Sequence, residues 1–178
     1  IPRDLELSKS ETNSLLEALV SISKTDKFDI ILTAPNEDSG SELIKSLIRQ
    51  YLPSISSCSY IESLGGFRYQ ALLSLARKKS VIVCGNSSSV IKEAPYYGAH
   101  GLNVGRRQLG REKASTQIDV PAEASAIEKI LLELGNIRCK IGDNPYYKDN
   151  ASQIFVDFLL ATYTSRTRSE LLLKRWNH

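Results

Sequence analysis

Short apolar segments of strand length alternate along this chain with stretches in which apolar residues recur at helical spacing. In the first helical stretch Leu15, Leu16, Leu19 and Ile22 share one face, and the last predicted helix begins at about Ala151. This alternation is typical of an α/β domain with a parallel sheet. The predicted strands cover residues 28–33, 55–61, 80–84, 102–104 and 117–120.

The segment 80–84 is the clearest strand, because Val81, Ile82 and Val83 form an unbroken apolar run. Such a run predicts a central strand that is buried on both faces. Cys84, at its end, is interpreted as a small core residue. The strand leads directly into Gly85-Asn86-Ser87-Ser88-Ser89, a segment of small polar residues that begins a predicted helix. Backbone N–H groups and the dipole at a helix start predict an anion site there.

Three side chains near this helix start and at the first strand are candidates for ligand contacts. Glu93 follows Ser89 by four residues, so both side chains project from one helix face. Its carboxylate can accept hydrogen bonds from two vicinal ribose hydroxyls, but helix-capping serines and a solvated glutamate remain an equal alternative. Asn36 follows the strand 28–33 at the sheet edge where ligands usually bind, although it can also be a simple turn residue after Pro35.

Composition restricts the class of protein without identifying it. The 178 residues fit one domain, and a net charge of 23 − 20 = +3 suits one anionic ligand rather than a nucleic acid. Neither an apolar run of membrane-spanning length nor a signal peptide is visible, and Cys58, Cys84 and Cys139 lack zinc-type spacing. We therefore expect a cytoplasmic protein. The chain starts at Ile1 and contains no methionine, so we interpret it as part of a longer protein.

The residues after the strand 80–84 form an extended motif. Gly85–Ser89, Glu93–Pro95, Gly98 and Asn103–Arg111 follow one another over about 27 positions. In this order they resemble the C-terminal domain of UDP-N-acetylglucosamine 2-epimerases, above all the hydrolysing enzymes of the sialic-acid and related nonulosonic-acid pathways. Two further segments match the same family: Pro35-Asn36-x-Asp38-x-Gly40, and Asn144-Pro145-Tyr146 with Asn150-Ala151-Ser152.

The resemblance implies a fold and a domain organisation. The fold would be a Rossmann-like parallel sheet with helices on both faces, the C-terminal half of a two-domain GT-B-like enzyme. Residues 1–150 would form the UDP-binding domain. Residues 151–178 would form a C-terminal helix that packs across the cleft on an N-terminal domain absent from this chain. This helix is amphipathic with a basic end, a pattern that also suits a membrane surface. Binding to such a surface is the weaker alternative to docking on the N-terminal domain.

The resemblance also implies roles for individual residues. Ser87 and Ser88 would bind the diphosphate and Glu93 the ribose, with Asn36 as a further contact to UDP. Arg107 would pair with phosphate oxygens, although a solvated loop arginine is its alternative. No catalytic residue is expected in this chain, because the catalytic carboxylates of the family belong to the N-terminal domain. No metal or redox cofactor is required. The expected partners are UDP, a UDP-sugar and the missing domain, and the sequence leaves a homo-oligomer open.

The complete enzyme would convert UDP-N-acetylglucosamine to N-acetylmannosamine and UDP by elimination of UDP and addition of water. The alternatives are the donor-binding domain of a GT-B glycosyltransferase and a non-catalytic nucleotide-binding module.

The sequence departs from the family at three points, one of which is the absence of the N-terminal domain with its catalytic carboxylates. The loop Tyr146–Asp149 replaces a Gly-Asp-Gly-like turn. The strand that usually opens this domain, ending in a nucleotide-contacting histidine, is missing or reduced to Ile1-Pro2. His100 is interpreted as a surface residue in a turn.

Overall fold

The computed structural model of the chain describes residues 5–37, 40–139 and 144–165. The chain divides into two compact units, residues 1–144 and residues 145–178. Three parts of the sequence-based expectations lie outside the described residues: Ile1-Pro2, Asp38 of the first motif segment, and the basic end of the last helix.

The described part of the first unit contains six α-helices and five β-strands in alternation. Predicted strand positions agree with the observed ones to within a few residues, and the two short 3-10 turns at Leu52–Ser54 and Leu75–Arg77 each end a helix. The helices are α1 (Leu5–Ser23), α2 (Ser41–Tyr51), α3 (Gly65–Ser74), α4 (Ser89–Lys92), α5 (Ala94–Tyr97) and α6 (Ala124–Gly135), and the strands are β1 (Ile30–Thr33), β2 (Cys58–Ile61), β3 (Ile82–Gly85), β4 (His100–Val104) and β5 (Gln117–Val120).

All pairings among the described strands are parallel, which confirms the predicted α/β class. They form two sheets, one of β1 and β2 and the other in the order β3-β4-β5. In the first sheet Ile30 is paired with Cys58, and in the second Ile82 is paired with His100. Helical connections between parallel strands place the carboxyl ends of the strands in each sheet at one edge.

Helices α1, α2 and α6 cover one side of the strands. The face of α1 that was predicted from its apolar spacing is buried, with Leu16 at 1% and Ile22 at 2% exposure. It packs against α6 and α2 and against Leu102 and Val104 of β4 in the main hydrophobic core. A second, smaller cluster combines Leu73 and Ala76 with Ala94 and Ala99, so α3 and α5 bury their apolar residues separately.

The prediction for β3 is wrong in one respect. Both faces of the strand are covered, because Ile82 and Cys84 pack on the main core and Val81 and Val83 pack on the second cluster. However, β3 is an edge strand among the described residues, and every residue of the strand remains partly exposed. Apolar character alone reports on the two faces of a strand and not on whether both of its backbone edges are paired.

His100 is also placed differently from the prediction. It begins β4 and is 7% exposed, rather than lying on the surface. One ring nitrogen of His100 lies 2.8 Å from the carbonyl oxygen of Ile137. The backbone N–H of His100 donates to the carbonyl of Val81. The turn therefore ends at Ala99, and the polar ring is buried because a carbonyl group satisfies it.

The described part of the second unit contains helix α7 (Ala151–Ser165), which begins where the sequence predicts. Asn150, before the helix, has a positive φ of 55° and its carbonyl accepts the N–H of Ile154. Tyr147 donates to the Asp149 carboxylate at 2.7 Å, within the loop that precedes the helix. None of the described helices, in either unit, is long and apolar enough to span a membrane.

Candidate functional site

A cavity of about 850 Å³ opens at the carboxyl ends of β1 and β3. This volume lies in the range of small-molecule sites, and the carboxyl edge of a parallel sheet is the usual place for a ligand. The turn after β1, the start of α3 and the serine loop after β3 line the cavity. Four of the five predicted binding residues line it together: Asn36, Ser87, Glu93 and Arg107. Ser88, the fifth, is not among the lining residues.

The serine loop, residues 85–89, presents hydroxyl groups at the end of β3. Ser87 is exposed, and its Oγ accepts hydrogen bonds from the Ser89 N–H at 3.4 Å and the Ser89 hydroxyl at 3.2 Å. Because both bonds use Ser87 as the acceptor, its own proton can be donated to a ligand oxygen. Ser88 precedes α4, but its side chain makes no capping hydrogen bond. Helix capping therefore does not explain the Ser88 hydroxyl, whereas the Ser87 hydroxyl accepts an N–H group of the first turn.

The helix after the serine loop is shorter than predicted. It consists of α4 and α5, four residues each, which meet at Glu93. Pro95 has no N–H group to donate, so the ladder of helical hydrogen bonds is interrupted at this position. A dipole needs several aligned turns, and a single turn supplies little of it. An anion in this cavity would therefore be held mainly by individual hydroxyl and N–H donors.

Glu93 and Ser89 lie on the same side of α4, as predicted. The N–H of Glu93 donates to the carbonyl of Ser89 at 3.0 Å, one helical turn earlier, and both residues line the cavity. The Glu93 side chain is exposed to the cavity opening. A carboxylate in this position can accept two hydrogen bonds from a ligand without a buried-charge penalty.

Tyr69 is a lining residue that was not predicted. Its hydroxyl is buried and makes no hydrogen bond of normal geometry among the described residues, although Ser89 lies close to it. Burial raises the pKa of Tyr69, the nearby Ser89 hydroxyl lowers it, and the Glu93 carboxylate raises it further. The phenol therefore stays protonated near neutral pH and can donate to a ligand. The sequence did contain a signal for Tyr69. It precedes the apolar Leu73 by four residues, so a side chain with a polar hydroxyl lies on the apolar face of α3.

The turn that carries Arg107 is held by residues on both of its sides. Gly105 has a φ of +78°, which favours glycine, and a Cβ atom there would displace the Glu11 carboxylate. Glu11, 9% exposed, accepts the N–H of Arg106 at 3.3 Å. Gln108, 3% exposed, donates from Nε2 to the carbonyl of Asn86 at 2.8 Å. Neither Glu11 nor Gln108 was predicted to contribute, and the only signal for Gln108 is its place in the motif.

The charges around the cavity are mixed. Among the described residues, four carboxylates and two cations line it; the cations are Arg107 and Lys45, the second of which pairs with Glu42 at 2.8 Å. An anionic ligand is therefore favoured by the donors beside Arg107 and not by a general positive potential. The lining carboxylates are Glu11, Glu37, Glu62 and Glu93.

Cys84 also lines the cavity, and burial raises the pKa of its thiol to about 12. It is therefore a thiol and not a nucleophilic thiolate at neutral pH. Within the described residues, no group of three or more histidine, cysteine, aspartate or glutamate side chains could hold a metal ion.

Comparisons with known proteins agree with the motif. Residues 2–160 match the family of UDP-N-acetylglucosamine 2-epimerases. A polysialic acid biosynthesis protein of Escherichia coli is 30% identical over 156 residues, which cover 82% of this chain and 37% of that protein. A hydrolysing UDP-N,N'-diacetylbacillosamine 2-epimerase of Legionella pneumophila is 30% identical over 129 residues, which cover 71% of this chain and 31% of that enzyme.

A hydrolysing GDP/UDP-N,N'-diacetylbacillosamine 2-epimerase of Campylobacter jejuni is 29% identical over 113 residues, 63% of this chain and 28% of that enzyme. The chain thus spans about a third of the length of these relatives. Since the family match covers nearly all of the described residues, this chain belongs to the UDP-N-acetylglucosamine 2-epimerase family.

Proposed function

We propose that this chain is the UDP-binding half of a hydrolysing UDP-N-acetylglucosamine 2-epimerase. The complete enzyme would convert UDP-N-acetylglucosamine to N-acetylmannosamine and UDP in nonulosonic-acid biosynthesis. The observation that carries the proposal is the convergence of Ser87, Glu93 and Arg107 on one cavity at the carboxyl edge of the strands. The family match supports it, as does the similarity to relatives that include hydrolysing 2-epimerases.

Each residue has a distinct task in the proposed complex. Ser87 donates its hydroxyl proton to a phosphate oxygen, and Arg107 pairs with the diphosphate through its guanidinium group. Glu93 accepts the two ribose hydroxyls. Ser88 and Asn36 complete the expected contacts to UDP, with Ser88 placed beside the cavity rather than in its lining.

The chemistry of this half concerns the leaving group. Elimination of UDP from the sugar places negative charge on the departing phosphate, and directed donors at that oxygen lower the barrier. Arg107 and the serine hydroxyls are the donors that this chain contributes. The carboxylates that move protons at the sugar carbon, and the water that is added, belong to the N-terminal domain in this proposal.

The domain organisation is part of the same proposal. Residues 1–150 bind UDP, and the helix of residues 151–178 packs across the cleft on the N-terminal domain. In support of this, α7 carries several large apolar side chains that are exposed, among them Phe155 and Phe158. Burial of such residues is a strong driving force for docking. The cytoplasmic location expected from the sequence stays a prediction.

Calorimetric titration of the chain with UDP and with uridine tests the nucleotide site. Glu93→Gln keeps the shape of the side chain but weakens its acceptance of ribose hydroxyls, so both ligands should bind about tenfold more weakly, the effect of about 1.4 kcal/mol. The preference for UDP over 2′-deoxy-UDP should fall as well. Arg107→Ala should weaken UDP strongly and leave uridine nearly unchanged, because uridine has no diphosphate.

Two neighbouring substitutions serve as controls. Arg106→Ala removes an exposed arginine next to Arg107 that does not line the cavity, and Glu112→Gln removes an exposed carboxylate of the following loop. Neither change should alter UDP affinity. If Glu93→Gln and Arg107→Ala bind UDP and uridine as the parent chain does, the nucleotide does not bind in this cavity and the proposal is wrong.

A further inference from the structure

Gln108 is a buried polar residue that no role in ligand contact explains. It is 3% exposed and lies next to Arg107, yet it is not among the residues that line the cavity. Its Nε2 donates to the carbonyl of Asn86 at 2.8 Å, across 22 residues of sequence. This bond connects the turn of residues 105–110 to the serine loop. The two segments supply two of the expected diphosphate contacts, Arg107 and Ser87, which line the same cavity.

The other half of the Gln108 amide is expensive for folding. Its Oε1 is buried and has no hydrogen-bond partner among the described residues. An unsatisfied buried acceptor destabilises the folded state, and this cost offsets the gain from the bond that Nε2 makes. An apolar side chain of similar size would avoid that cost. Gln108 therefore contributes little net stability at this buried position. Its place beside the cavity indicates that it serves to hold the turn in position.

Arg107 is consequently fixed by the residues on its two sides. On one side the Arg106 N–H is held by the Glu11 carboxylate, beside Gly105 with its positive φ of 78°. On the other side Gln108 is held by the carbonyl of Asn86. The first contact ties the turn to α1, and the second ties it to the serine loop.

We propose that Gln108 is a positioning residue, which sets the spacing between Arg107 and Ser87 before a ligand binds. A diphosphate bridges the two donors only when their separation matches its own phosphate spacing, and preorganised donors avoid the cost of ordering the loop on binding. The inference rests on the proposed function of the cavity. It assigns to Gln108 an effect on diphosphate binding that is transmitted through the backbone and involves no contact with the ligand.

Two variants that lose the Nε2 donor test this role. Gln108→Leu also removes the unsatisfied oxygen, and Gln108→Glu keeps the shape but places a carboxylate against the Asn86 carbonyl. We expect both to bind UDP roughly tenfold more weakly while uridine affinity is unchanged. The midpoint of urea unfolding for Gln108→Leu should not fall. Gln70→Leu, an exposed glutamine of α3 that does not line the cavity, is the matched control and should alter nothing.

Amide hydrogen exchange provides a second readout that needs no ligand. The N–H groups of Arg107 and Leu109 should exchange faster in Gln108→Leu than in the parent chain, because the turn is no longer tied to the serine loop. If exchange is faster in Gln108→Leu but the parent chain does not bind UDP, the contact between Gln108 and the serine loop is supported and the nucleotide site is refuted. Unchanged exchange together with unchanged UDP affinity would overturn the positioning role. Equal losses of UDP and uridine binding would also overturn it, since a general loosening of the domain would produce them.

Discussion

Asp119, in β5, illustrates how single side chains hold the loop that precedes the strand. One carboxylate oxygen accepts the Asn103 amide at 2.8 Å, and the other contacts the Lys113 ammonium in that loop. Burial raises the pKa of Asp119, but the hydrogen bonds from Lys113 and Asn103 lower it, and the net effect places the pKa below its ordinary value. The charged form is therefore more favourable in the folded state than in the unfolded chain.

This shift predicts a pH dependence of stability. A lowered pKa in the folded state contributes stability that is complete above the unfolded pKa of about 3.9 and is lost as pH falls through the folded value. Asp119→Asn should cost about 1 kcal/mol in the free energy of unfolding at pH 7, measured with urea. The difference from the parent should shrink below pH 4. A difference of the same size at pH 3 and pH 7 would contradict the assigned contacts.

The two sheets set a constraint at the scale of elements. Ile30 donates its N–H to the carbonyl of Ser57, towards β2, so alternation directs the N–H groups of Ile31 and Thr33 away from β2. In the second sheet the Val81 carbonyl accepts from His100 of β4, so the N–H groups of Ile82 and Cys84 point away from β4. Among the described residues these two backbone edges have no strand partner. Residues of both strands line the cavity.

Amide exchange should therefore alternate along β1 and β3. We expect the N–H groups of Ile31 and Ile82 to exchange at least roughly tenfold faster than those of Leu32 and Val83, which face paired strands. Because the compared amides are adjacent in sequence, each strand contains its own control. The measurement is hydrogen exchange by NMR on the 178-residue chain. Equal protection of neighbouring amides would mean that both edges are paired in solution, which contradicts the observed arrangement.

At the scale of the whole molecule, the proposed function assigns to this chain one of the two halves of an enzyme. It spans 37% or less of the compared relatives. The described cavity offers donors for a diphosphate, whereas the proposal assigns the proton transfers at the sugar to another domain. The isolated chain should therefore bind UDP and release no N-acetylmannosamine from UDP-N-acetylglucosamine. NMR of the reaction mixture measures this directly.

The same measurement separates the proposal from its rivals. Turnover by the 178 residues alone would refute the division of labour between two domains. A longer form of the protein that consumes UDP-N-acetylglucosamine only when a sugar acceptor is present would identify a glycosyltransferase. A longer form that binds UDP and catalyses neither reaction would identify a nucleotide-binding module without catalysis.

Local patterns were sufficient for the class of fold, whereas the family resemblance was needed to select most of the candidate site residues. The apolar run through Val81 to Val83 predicted a strand, and small polar residues after it predicted the loop at its end, because both depend on interactions within a few residues. The resemblance carried by residues 85–111 selected Ser87, Glu93 and Arg107, and these three line one cavity with Asn36. Their tasks towards UDP stay predictions.

Contacts between distant segments decided the rest. The burial of His100 depends on the carbonyl of Ile137, and the turn of Arg107 depends on Glu11, which lies 95 residues from Arg106. The edge position of β3 depends on which strands are present beside it. The sequence by itself determined the alternation of strands and helices and the chemistry at the carboxyl ends of the strands, because neighbouring residues set both. Only the tertiary structure decided which buried polar groups hold the site, because a hydrogen bond between distant segments leaves no periodic pattern in the sequence.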